Sequence, residues 1–143
     1  VYQVLFLDDD NSCLSQLAEA AARKHFPGAG SYVSVAGREP AETLSSGLKE
    51  FMDSHGMDAS KARPKAYDMT PAELNRFNVI VSLKAPVSSY IGKIPFQTTA
   101  LNWNLTSVPE DCACSDQDYE SIHRELSVLT KDLMMLLRGE DAA

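Results

Sequence analysis

Cationic side chains are scarce in this 143-residue sequence: 13 Lys and Arg stand against 20 Asp and Glu, a formal charge of −7. No basic stripe offsets the deficit, which argues against generic binding to nucleic acid or to an anionic membrane surface. Long apolar runs are missing too, and none approaches the roughly 18 residues that a membrane span needs, so no membrane insertion is expected. Cysteine is limited to Cys13, Cys112 and Cys114. Three thiols, two of them one residue apart, make no disulfide framework; a soluble protein of a reducing intracellular compartment is the expectation. Val1 enters a strand pattern directly, with neither a charged leader nor an initiator Met, as expected of a domain excised from a larger protein or of a processed product. What is present is ordinary for a folded chain: 44% apolar and 23% charged residues, over a length that suits one domain spanning 1–143 with its own core.

The apolar run at 1–7 has no polar alternation at its end, the pattern of a strand covered on both faces, and it drives into Asp8-Asp9-Asp10. From Ser12 to about His25, Leu14, Leu17, Ala18, Ala21 and Ala22 fall at helical spacing. Residues 31–36 read as a second strand. Glu39-Pro40 is expected to open a helix running through Leu44, Leu48 and Phe51 to the His55-Gly56 region. Thr70-Pro71-Ala72-Glu73 starts a further helix, with Thr as cap and Pro at the first position. Strands follow at 77–83 and 98–103, and a long amphipathic helix at 118–137. The order predicts a three-layer α/β/α fold around a central four-stranded parallel sheet. In such folds the first strand–loop–helix turn attracts anions, because helix N-terminal N–H groups converge there. Three aspartates at that point should repel them.

The register Asp8-Asp9-Asp10-Asn11-Ser12-Cys13-Leu14-Ser15-Gln16-Leu17-Ala18-Glu19-Ala20 resembles the anion-binding loop of the low-molecular-weight protein tyrosine phosphatases and their thioredoxin-coupled arsenate reductase branch. There the loop reads Cys-Thr-Gly-Asn-Ser-Cys-Arg-Ser-Gln-Met-Ala-Glu-Ala. The likeness continues through Val35-Ala36-Gly37, residues 48–65, Phe77-Asn78-Val79-Ile80-Val81 and Leu101-Asn102-Trp103, so it covers nearly the whole chain. The resemblance implies the same fold, but not the chemistry. Where the family has its nucleophilic thiolate this chain has Asp8, and a carboxylate lacks the thiolate's nucleophilicity. The oxyanion-gripping Arg is replaced by Leu14, which has no donor. The loop Gly is Asp10. The general-acid position falls on Ser107 or Val108, and the region of the reductases' redox cysteines, 83–89, contains none.

The expectation is therefore a catalytically inactive phosphatase-like or reductase-like domain without cofactor. It would serve as a regulatory or protein-interaction module, with a protein partner or other domains of a larger chain. A carboxylate of Asp8, Asp9 or Asp10 is expected to fold into the ring of N–H groups and fill the anion position, with Asn11 and Ser15 bracing the loop, so that phosphate and arsenate do not bind. The degenerate loop comprises Asp8, Asp9, Asp10, Asn11, Ser12, Cys13, Leu14 and Ser15, and Trp103, Ser107 and Val108 form a candidate interaction rim. An alternative keeps chemistry at the loop: Asp8, Asp10 and Asn11 as ligands of Mg²⁺ or Ca²⁺, in a cation-sensing domain or a metal-dependent phosphatase-type enzyme. The Asp8–Ser12 pentapeptide also fits the opening of haloacid-dehalogenase-type phosphatases, and its Asp pair faintly that of response-regulator receivers. Cys13 is expected to pack as a small apolar residue, while Cys112 and Cys114 are open to soft-metal binding or oxidation, with no second cysteine pair or nearby His to favour a metal. His25, His55 and His123, far apart in sequence, are expected as ordinary surface or helix-end residues. Leu133, Met134, Met135, Leu136 and Leu137 are wider than a single core stripe and point to a contact with another domain or protomer.

Overall fold

The structure, a computed structural model, describes residues 1–66, 70–106, 108 and 114–142, the last four by backbone alone. The elements are β1 (Tyr2–Asp8), α1 (Leu14–His25), β2 (Gly30–Ala36), α2 (Leu48–Ser54), α3 (Pro71–Leu74), β3 (Val79–Ser82), β4 (Thr99–Asn102) and α4 (Asp116–Ala142), with a 3₁₀ turn at Val87–Ser89. All strands are parallel in the order β2-β1-β3-β4. The three-layer fold expected from the sequence is the one observed.

The uninterrupted apolar run of β1 follows from its central place, since successive side chains leave a strand on opposite faces. Val4 and Phe6 pack into one cluster with Leu17, Ala18, Ala21, Phe51, Ile122 and Leu126 from α1, α2 and α4. Leu5 and Leu7 pack into the other, with Leu74, Phe77, Ile80, Val87 and Ile91. Trp103 is 8% exposed and lies against Phe6, ring centroids 5.8 Å apart. It is a core residue, not an exposed anchor for a partner.

At α2 and α4 the helix boundaries differ from the sequence expectation. The helix expected from Glu39-Pro40 begins only at Leu48. Residues 39–47 run beside the β1–α1 loop instead, because Ala41 N donates to Asp10 O (3.0 Å) and Ser45 N to Ser12 O (2.9 Å). Gly47, at φ 82°, is left-handed just before the helix starts, a conformation glycine adopts without steric cost. At the other end of the chain α4 starts at Asp116 rather than Asp118, because Ser115 and Asp118 cap it reciprocally. Ser115 N donates to Asp118 Oδ2 (2.8 Å), and Asp118 N to Ser115 Oγ (3.2 Å). The helix also continues beyond Leu137 to Ala142. Among the described residues no helix is long and apolar enough to cross a membrane.

His25 and His55 lie at helix ends as expected, and the three histidines, far apart in sequence, meet in space. His25 Nε2 of α1 stands 3.4 Å from His123 Nε2 of α4, a spacing that accommodates one shared proton and disfavours two. His55, capping α2, sets its ring 6.2 Å from that of His123 and its Nε2 3.8 Å from Glu120. Lys24 Nζ donates to the His55 carbonyl, adding a positive charge nearby. Burial first, then neighbouring positive charge, holds His25 and His123 below the usual imidazole range. An imidazole with a lowered folded-state pKa contributes stability above its unfolded value of about 6.5 and loses it as pH falls, because the unfolded chain takes up the proton first. The melting temperature should thus fall between pH 7 and pH 5, and the His25→Asn/His123→Asn variant should show a shallower fall. Equal slopes would mean that the cluster does not titrate as described.

Candidate functional site

The strand order reverses at β1, so the loop from Asp8 to Cys13 opens at a topological switch point, above the carboxyl ends of β1 and β3. A cavity of about 130 Å³ lies there, lined by Asp8, Asp9, Asp10, Cys13, Leu14 and Lys84 among others. Each aspartate has a different task.

Asp8 is 4% exposed, and its carboxylate turns inward. Oδ1 accepts from Asn11 N (2.6 Å) and Oδ2 from Ser15 N (2.9 Å). Ser15 lies in the first turn of α1, whose preceding residue, Cys13, makes no side-chain cap. Asp8 therefore supplies from five residues upstream the acceptor that a local cap would provide. The two N–H groups favour the carboxylate, but burial weighs more and the Asp10 charge adds to it, so Asp8 holds its proton above the ordinary carboxylate range. Asp10 closes a local turn, its Oδ1 accepting from Ser12 N (3.1 Å) and Ser12 Oγ (2.7 Å). Asp9 points to the rim, where the Tyr90 hydroxyl donates to it and Arg38 and Lys84 stand 3.7 and 3.8 Å away. Burial and the bond to Asp9 push the Tyr90 hydroxyl up to about 12. Its ring leaves no room at Gly37, where a Cβ would lie 2.4 Å from it.

Asn11 is fully buried at φ 58°, a left-handed conformation that Asn tolerates better than most residues. Its Nδ2 donates to Ser15 Oγ (2.7 Å), while its Oδ1 accepts from Gln16 Nε2 (2.8 Å) and Lys65 N (3.0 Å). Asp8, Asp10 and Asn11, the candidate cation ligands, are neighbours without a common focus. Asp8 faces the backbone donors and the Asn11 oxygen faces Gln16 and Lys65. Among the described residues no three His, Cys, Asp or Glu side chains are grouped to hold a metal ion.

Leu14 lines the cavity with an apolar side chain. Cys13 packs beside it, and burial first, then the Cys114 and Asp8 charges, push its thiol up to about 12, far from a reactive thiolate. Cys114 lines the same cavity. Of the candidate rim, Val108 reaches the cavity and Trp103 is in the core, while Ser107 lies outside the described residues, as does Cys112. Sequence reasoning passed over Arg38 and Lys84 as site residues, and gave Tyr90 no place in the loop. Arg38 and Lys84 follow closely on β2 and β3, and parallel strands bring their carboxyl ends to one edge, so topology was the available signal.

No family model and no curated protein sequence matches the chain. Solved structures match its fold. An arsenate reductase from Archaeoglobus fulgidus is 23% identical with a TM-score of 0.68, over 92% of this chain and 98% of that one. The tyrosine phosphatase Wzb from Escherichia coli, crystallised with sulphate, is 14% identical with a TM-score of 0.72, over 94% and 97%. The YwlE arginine phosphatase from Geobacillus stearothermophilus is 16% identical with a TM-score of 0.72, over 99% and 96%. The architecture is thus that of low-molecular-weight phosphatases and arsenate reductases.

Removing the Asp8 carboxylate leaves two buried N–H groups without an acceptor, at a cost of about 1–3 kcal/mol each. Asp8→Ala should therefore melt well below wild type, and sulfate should restore part of the loss by entering the vacated N–H ring. Equal sulfate responses in the two proteins would refute that role for Asp8.

Proposed function

We propose that this chain is a catalytically inactive domain on the phosphatase and arsenate reductase fold, serving as a regulatory or protein-interaction module. One observation carries the reading: the Asp8 carboxylate accepts the Asn11 and Ser15 N–H groups that an oxyanion would otherwise engage. A second anion entering that cavity would meet Asp8, Asp9 and Asp10. Lys84, the cation lining it, is 3.8 Å from Asp9. At the position of the family's guanidinium clamp, Leu14 offers no hydrogen-bond donor. The nucleophile position carries a carboxylate held by backbone donors, poorly placed to attack phosphorus or arsenic.

What remains is a stable scaffold with surface to present. Along the outer side of α4, Val128, Met135 and Leu136 are exposed, the last two by 61% and 70%. Val128 and Met135 are seven residues apart, so they share one helix face. These exposed apolar side chains, set around the charged Lys131 and Asp132, support contact with a protein partner or another domain of a longer chain.

The test is an assay of the whole chain with para-nitrophenyl phosphate and with arsenate, with and without Mg²⁺. No turnover is expected, nor any rise in melting temperature with millimolar phosphate. The triple variant Asp8→Cys/Asp10→Gly/Leu14→Arg, which returns the thiol, the open loop and the clamp, should acquire a phosphate-dependent thermal shift. Turnover by wild type that is lost in Asp8→Ala, or vanadate seated over residues 8–15 of the wild type, would overturn the proposal.

A further inference from the structure

Two thiols from opposite ends of the chain meet at the cavity. Cys13 immediately precedes α1, and Cys114 stands just before the capped start of α4. Neither is in a disulfide, both line the same cavity, and both are partly buried against the same apolar cluster. A hydrogen bond joins the two thiols, and the Ser45 side chain bonds Cys13 as well. Neither sulfur takes part in the hydrogen bonds by which Asp8 and Asn11 hold the loop.

We propose that Cys13 and Cys114 are a disulfide-forming pair, and that oxidation ties the segment entering α4 to the start of α1 across the mouth of the cavity. The oxidant is a disulfide such as oxidised glutathione. Cys114, as thiolate, attacks one glutathione sulfur; the glutathione S–S bond breaks, one glutathione thiolate leaves, and a mixed disulfide remains on Cys114. Cys13 then attacks the Cys114 sulfur and expels the second glutathione thiolate. Two protein thiols are oxidised to one disulfide, one glutathione disulfide is reduced to two thiols, and the two protein protons end on the released glutathione. Attack begins at Cys114 because burial keeps Cys13 protonated, and only a thiolate is nucleophilic. The Ser45 hydrogen bond favours the Cys13 thiolate in the second step.

The bond would close a loop of about 100 residues, the regime in which a cross-link most restricts the unfolded chain. It would also fix two helices that already pack on one another, α1 and α4. The proposal does not depend on whether the loop is inactive, since it concerns only sulfur positions.

The experiment incubates the whole chain with oxidised glutathione under native conditions, blocks remaining thiols with iodoacetamide, and maps the digest by mass spectrometry. A Cys13–Cys114 linked peptide is expected, with a melting temperature about 5–10 °C above that of the dithiothreitol-treated protein. Cys13→Ser and Cys114→Ser should each abolish the linkage and the shift, whereas Cys112→Ser should leave both. Glutathione persisting on Cys114 without a linked peptide, a bond made to Cys112 instead, or a linked protein that melts no higher than the reduced one would overturn the proposal.

Discussion

The architecture around the first loop depends on one buried carboxylate accepting two backbone N–H groups. Asp8 ends the central strand, and its oxygens bind Asn11 N and Ser15 N, so a single side chain joins β1, the loop and the first turn of α1. Its environment disfavours its charge on balance, since burial outweighs those two donors. The surrounding fold therefore holds Asp8 in place against its own solvation. That is physically reasonable only where the alternative, two buried N–H groups without an acceptor, is worse. A loop whose backbone converges on a point of negative charge has been supplied with that charge from its own sequence.

The backbone around this carboxylate is fixed from outside. Gly37 N donates to Asp8 O (2.7 Å), Arg38 N to Asp9 O (3.0 Å), and Ala41 and Ser45 to the next loop carbonyls. Asn11 adds the cross-tie, bonding Ser15, Gln16 and the backbone of Lys65 at once. This lacing fixes the loop's backbone from three sides. It also accounts for residues 39–47 being non-helical: the Ala41 and Ser45 N–H groups, which a helix would use internally, are given to the loop.

The sheet and the two long helices were legible because their signals are local. An apolar run without alternation identifies a doubly covered strand, and Leu14, Leu17, Ala18, Ala21 and Ala22 identify one helix face. The acidic loop was legible as a departure from a recognisable register, though which aspartate turns inward depends on backbone directions that no residue type encodes. The misses share a cause. The start of α2, the meeting of His25 with His123, the approach of Cys13 to Cys114 and the Tyr90 bond to Asp9 are all set by contacts distant in sequence. Periodicity carries no information about them. For Trp103 the sequence allowed both a packed ring and an exposed rim anchor, and only its contact with Phe6, distant in sequence, decides for packing.

The pairing of the last helix with the first has a consequence for biosynthesis. Phe6, Leu17 and Ala21 rest against Ile122 and Leu126, and that face of the sheet is unfinished until α4 arrives. During translation β1 and α1 leave the ribosome with this surface uncovered, and it stays so until about a hundred further residues, through Leu126, have followed. The nascent polypeptide thus exposes a sticky half-core throughout the interval between α1 and α4, in which chaperones guard against misassembly.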